Sequence, residues 1–301
     1  MVFYEASKLF MNHCQTAISL SSHTYRAYST DLKDAQNHIG SRTGIASIRK
    51  EHLREYIRVL REECDLKESS IKRRIATLKL FFKWTINEEL ISSNPFDNLN
   101  EKIRLPKRLP RALDRLDTNL LKKYVSTPSS NLDFDDLCNK TAISLLLSTG
   151  IRVGELSNIC IDDYSRSDRS IKIYGKGNRQ RLVYLLTPQL HRLFNNYLVK
   201  RRKFPAASDK LFVTAKNGHL TPPRIRSSLK TIAKQAGVEK NITPHMLRHT
   251  CATQWLEAGL DIRYVQKLLG HHSISTTEIY THVSDQSLRE ALLRTTGGKK
   301  R

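Results

Sequence analysis

Along most of this chain apolar residues return every three or four positions, and in one place only do they alternate strictly with polar ones. Over residues 22–39, Tyr25, Tyr28 and Leu32 share a face while Arg26 and Lys33 lie off it, the spacing of an amphipathic helix. Residues 49–64 repeat that pattern. In SSIKRRIATLKLFFKWTINEEL, Ile71, Ile75, Leu78 and Phe82 form the apolar stripe, and Ser69 or Ser70 stands where an N-cap is expected. Beyond these, residues 134–148 predict an apolar helix stopped by Gly150, and residues 152–159 open the next. Thr187 followed by Pro188 marks another helix start. Further helices are expected at about residues 222–236, 244–258 and 261–269, with Gly259 and Gly270 as stops. The alternating stretch is SIKIYGKGNRQRLVYLL, centred on Gly175-Lys176-Gly177-Asn178. Glycine and asparagine supply the positive φ of a tight turn, so it predicts a β-hairpin. The fold class that follows is mainly α with a small antiparallel β-sheet.

The helical pattern breaks in NPFDNLNEKIRLPKRLPRALD, where Pro95, Pro106 and Pro110 stand among basic residues that include Lys107 and Arg108. Proline removes a backbone donor and pushes its predecessor toward extended geometry. The expected organisation is a helical domain over residues 1–99, an extended basic linker over 100–110, and a mixed domain over 111–301. Lys107 and Arg108 suit a solvated linker or one laid along a polyanion. Lys72, Lys79 and Lys83 share a second face of their helix, a row that suits a solvated surface or a track along phosphates.

Composition sharpens the choice of partner. With 51 Lys and Arg against 29 Asp and Glu, the chain carries a formal charge of +22, a field that attracts polyanions, nucleic acid foremost. No apolar run approaches the 18 or so residues of a membrane span, and the N-terminal MVFYEASKLF has no secretory pattern. Cys14, Cys64, Cys138, Cys160 and Cys251 are scattered without a CxxC pair, which reads as reduced thiols in a cytoplasmic protein.

Several residues have chemistry to offer. His245 and Arg248 lie three apart at a helix start, on one face, where unpaired N–H groups also favour an anion. Arg152 and Glu155 repeat the spacing in TGIRVGEL, the carboxylate able to orient the arginine or simply to form an i,i+3 ion pair. Lys176 at the hairpin tip could deliver a proton. Tyr280, nine residues after His271, could act as a nucleophile if cations stabilise its phenolate. The neighbouring His249, His272 and His282 make zinc binding a remoter reading, and no metal site is expected; His249 is expected to pack inside its helix.

In order and spacing, Arg152, Lys176, His245-x-x-Arg248, His271 and Tyr280 resemble the signature of the tyrosine recombinases, the phage integrase family. TGIRVGEL resembles the first arginine box, YGKGNRQR the lysine hairpin, HMLRHTCAT the second box, and LLGHHSISTTEIYTHV the third histidine and the nucleophile. The upstream SSHTYRAYSTDL and the lysine-bearing helix resemble the family's SAM-like core-binding domain. The resemblance implies a C-shaped clamp on double-stranded DNA at specific recombination sites. In it Tyr280 would form a 3′-phosphotyrosine, Arg152, His245, Arg248 and His271 would stabilise the phosphate, Lys176 would protonate the leaving oxygen, and Glu155 would support the site. It implies no cofactor or metal, a monomer or weak dimer off DNA, and a homotetramer on two sites, with accessory DNA-bending proteins possible. The tail from about residue 284 is expected to dock on a neighbouring subunit. The compact layout resembles Xer recombinases and simple mobile-element integrases; integration or excision of a mobile element is the expected role, with chromosome or plasmid dimer resolution as the alternative. Relaxation in the manner of type IB topoisomerases and inactive DNA binding are the more remote readings.

Overall fold

The computed structural model describes residues 1–17, 20, 22–97, 99, 112–127, 133–175, 180–204, 209–216 and 218–270. The chain divides into two compact units, residues 1–108 and 109–301. The expected linker falls within residues not described, and so do Lys107, Arg108 and the tail from about residue 284.

The first unit is helical: α1 (Phe3–Thr16), α2 (Ser22–Ile39), α3 (Lys50–Glu62) and α4 (Glu68–Asn87). Ile71, Ile75, Leu78 and Phe82 are all buried, as the stripe predicts. Ser69 and Ser70 are not the cap, however. The helix begins at Glu68 behind Lys67, which makes no side-chain cap bond, so both serines sit inside the first turn. Aromatic rings dominate the core: Phe81 lies 5.5 Å from both Phe3 and Phe10, and 5.1 Å from Phe82. Beside it a polar network joins α2 to α4. Asp31, fully buried, accepts from Arg73 Nη1 at 2.5 Å and from Thr77 Oγ1 at 2.8 Å, while Asp34 accepts from Arg74 and from the Tyr56 hydroxyl. Lys72, Lys79 and Lys83 are exposed on α4, and Lys79 Nζ stands 5.5 Å from the centre of the Phe96 ring.

The second unit is built around α6 (Phe134–Thr149), buried around nearly its whole circumference as a central helix must be. It touches α5 (Arg115–Ser126), α7 (Val153–Asn158), α8 (Pro188–Arg201), α9 (Pro222–Gln235) and α10 (Pro244–Glu257). Thr187 caps its helix as expected, and Asp114, Asp133 and Thr243, not read as caps from the sequence, do the same: each of the four accepts a first-turn N–H. Gly150 ends α6 at φ +61°, and Gly270 ends α11 (Ile262–Leu269) at φ +66°. The hairpin is β2 (Ser170–Tyr174) and β3 (Gln180–Tyr184), antiparallel, with Ile171 opposite Val183 and Ile173 opposite Arg181. A two-residue strand not read from the sequence, β1 (Tyr164–Ser165), pairs on its outer side. Among the described residues no helix is long and apolar enough to cross a membrane.

Candidate active site

Three of the expected residues and one supporting residue fall within the described part of the second unit, and they converge. Arg152 stands at the N-cap of α7, directly after the Gly150 turn, with extended backbone. Its own N–H donates to Glu155 Oε2 at 2.8 Å and its Nη1 donates to Oε1 at 2.9 Å. This closes the first turn of α7 and leaves the Arg152 side chain 44% exposed. His245, exposed, and Arg248, buried, are on the first two turns of α10, as the three-residue spacing predicts. Arg152, His245 and Arg248 all line one open cleft of about 2290 Å³ among the described residues.

The two α10 residues have different surroundings. Arg248 is only 2% exposed. Its Nη1 donates to the carbonyl oxygen of Gly150 at 2.7 Å and its Nη2 to that of Leu269 at 2.6 Å. Two of its five N–H donors therefore brace the ends of α6 and α11. Gly150 permits this closeness: a Cβ there would meet Leu269 Cδ2 at 2.9 Å. His245 stacks on His249 with ring centres 5.7 Å apart, placing His249 half-buried behind it. Burial, and then the charges of Arg248 and Arg152, hold the His245 imidazole below its ordinary range. This favours the neutral ring, which can donate one hydrogen bond without adding charge.

Sequence reasoning missed four cations lining the same cleft: Arg181 on β3, Arg226 and Lys230 on α9, and Lys267 on α11. Arg181 donates from Nη2 and Nη1 to the two oxygens of Glu155, at 2.6 and 3.1 Å. Burial raises the Glu155 carboxyl, but the bonds and charge of Arg181, followed by those of Arg152, outweigh it and hold the group below its usual range. The signal was present in the hairpin. Arg181 occupies an inward phase of the strand, in step with the buried Val183 and flanked by Gln180 and Leu182, which face out.

Lys176, His271 and Tyr280 lie outside the described residues, as do His272 and His282. Gly175, Gln180 and Gly270, which border those segments, line the cleft. No cluster of three or more metal-ligating side chains occurs among the described residues. The arrangement gathers fixed positive charge and hydrogen-bond donors around a space open to solvent. It suits an anion on which charge develops during reaction.

The chain matches two family models. That of the phage integrase family covers residues 114–287, and that of the phage integrase N-terminal SAM-like domain covers residues 8–89. The tyrosine recombinase XerC of Leptospira interrogans (serovar copenhageni) is 33% identical over 288 residues, 95% of this chain and 91% of the relative. The crystal structure of XerH site-specific recombinase bound to palindromic difH substrate superposes with a TM-score of 0.77 at 24% identity, over 95% of this chain and 84% of that one. The Tn1549 transposon integrase in complex with a circular intermediate DNA gives 0.74 at 19% identity, over 98% and 99%. The fold and the full-length relationship together mean that the chain belongs to the phage integrase family and is a tyrosine recombinase.

Proposed function

We propose that this recombinase cleaves and rejoins duplex DNA at specific sites with Tyr280 as nucleophile. The observation that carries the reading is the convergence of Arg152, His245 and Arg248 on one cleft beside the segments that continue to Lys176 and His271. The Tyr280 oxygen attacks the scissile phosphorus, the bond to the 5′-oxygen breaks, and Lys176 supplies the proton that leaves with the 5′-hydroxyl. Arg152, Arg248, His245 and His271 stabilise the non-bridging oxygens, as preorganised donors do for a developing anion. Glu155 holds Arg152. A 5′-hydroxyl of the partner strand then reverses the attack, so the bond energy stays in the 3′-phosphotyrosine and the chemistry requires neither metal nor nucleotide cofactor.

Double-stranded DNA is the partner in this reading. The +22 charge supports it, and related integrase and recombinase structures carry DNA. Lys72, Lys79, Lys83, Lys107 and Arg108 are proposed phosphate contacts. The working assembly is a homotetramer on two sites in the cytoplasm. For the biological role, a relative matched over nearly its full length is named XerC. This favours resolution of chromosome or plasmid dimers over the mobile-element integration expected from the sequence, since the transposon integrase shares only the fold.

The test is adduct trapping in EDTA with DNA flanking the gene, comparing wild type with Tyr280→Phe and mapping the attached residue. An SDS-resistant adduct on Tyr280, absent from the variant, is the expected result. An adduct that persists in Tyr280→Phe would mean another nucleophile.

A further inference from the structure

Arg181 stands in phase with the inward-facing Val183 and opposite Ile173, at a position where a strand of this kind ordinarily carries an apolar side chain. Its side chain is 10% exposed. All three guanidinium nitrogens are engaged: Nε donates to the Leu268 carbonyl at 2.8 Å, and Nη1 and Nη2 take one oxygen each of Glu155. Gly270 makes room for it, since a Cβ there would stand 3.0 Å from Nη1 and 3.2 Å from Cδ. The next residue in the chain is His271.

Glu155 thus serves two arginines unequally. Arg181 makes two side-chain bonds to it, and the Arg152 side chain makes one, of 2.9 Å. A carboxylate facing one arginine favours the two-bond fork geometry, the strongest pairing open to it. Relieved of Arg181, Glu155 would draw the Arg152 guanidinium into that geometry and away from the cleft.

We propose that Arg181 is a positioning residue for strand cleavage: by occupying Glu155 it keeps Arg152 directed to the cleft, and through Leu268 it fixes the end of α11 that leads into His271. The proposal rests on the reading that Arg152 faces the scissile phosphate.

The experiment measures single-turnover adduct formation, and affinity, on a duplex carrying the site at which the wild type is trapped. Arg181→Gln is expected to bind within about twofold of wild type yet form adduct roughly 50-fold more slowly, the scale of loss expected from displacing a reacting group by about an ångström. Adding Glu155→Gln to Arg181→Gln is expected to restore the rate about tenfold, because the neutral amide no longer captures Arg152. A merely structural Arg181 predicts the opposite, a double variant as slow as the single one or slower, and that result overturns the proposal. So does a parallel loss of binding and cleavage in Arg181→Gln. Arg181→Lys keeps the charge and the strand position but cannot reach both Glu155 and Leu268. It should be about tenfold slow and show the same rescue; wild-type cleavage by this variant also overturns the proposal. A wild type that forms no adduct on Tyr280 would instead count against the proposed chemistry itself.

Discussion

The Arg248 guanidinium donates to the carbonyl oxygen of Gly150 at 2.7 Å, joining residues 98 apart in the chain. A second bond, to Leu269, makes the same side chain the tie between the C-terminal ends of α6 and α11. Helix C-termini carry partial negative charge, so two of them can support a buried cation. Arg248→Ala should therefore lower unfolding stability by about 2–4 kcal/mol, through two buried carbonyls left without donors. Urea unfolding of the purified protein measures this, and a change under about 0.5 kcal/mol would contradict the bracing role.

Gly150→Ala tests the same junction from the other side. The position needs φ +61°, and the added methyl would lie 2.9 Å from Leu269 Cδ2. Left-handed backbone and overpacking each cost about 1–2 kcal/mol. The melting temperature should fall by several degrees, and adduct formation should suffer more than DNA binding.

Acid should weaken the second unit through His249. Burial, and then the charges of His245 and Arg248, press its imidazole down to about 4. An unfolded histidine titrates near 6.5. Below that pH the unfolded chain binds a proton that the folded chain refuses, so the stability present above about 6.5 is lost as pH falls toward 4. Discounted for partial exposure, the loss is on the order of 2 kcal/mol. Melts between pH 7.5 and 4.5 should show a shallower decline for His249→Gln than for wild type; equal slopes would remove His249 as the cause.

In the first unit, Asp31→Ala should cost about 2–3 kcal/mol, because Thr77 loses a buried acceptor and the partly exposed Arg73 loses its partner. Chemical unfolding followed by Trp84 fluorescence, Trp84 lying 5.5 Å from Phe10 in that unit's core, would register the shift. An unchanged midpoint would mean the network contributes nothing net.

The exposed Lys72, Lys79 and Lys83 give a prediction in salt. Each phosphate contact removed should reduce the slope of log K against log salt by about one. Replacing all three with glutamine should flatten it by up to about three and weaken binding to any duplex alike. A wild-type slope in the triple variant would leave that row as solvated surface.

Most of the helices were legible because their ends are punctuated. Gly150, Gly259 and Gly270 close helices with positive φ, Thr187 and Thr243 open them, α2, α6, α9 and α10 begin where expected and end within a residue of expectation, and α8 begins where expected. Neither α1 nor α5 stood out, since Tyr4, Leu9 and Leu116 are apolar yet exposed and blur the stripe that periodicity relies on. The cap at Ser69 or Ser70 misled because serine favours a cap locally, while the helix begins at Glu68 and takes both serines into its first turn. In the site, Arg152, His245 and Arg248 were named from their order and spacing taken together with the family resemblance those carry. What spacing could not show is that Arg248 spends two donors on main-chain carbonyls, or that Arg181 on β3 holds Glu155 on α7. Both depend on partners dozens of residues away.

Those separations also set an order of events during synthesis. Arg248 finds its second carbonyl, and Arg181 its anchor, only when Leu268 and Leu269 exist. The first unit needs nothing beyond residue 108 to close its core. Since chains emerge N-terminus first and domains fold as units, a partly made protein completes its lysine-bearing helical unit long before its arginines are braced. An unfinished chain, or one cut short before residue 268, therefore carries the basic surface of its first unit without the carbonyls that fix Arg181 and Arg248 in the second.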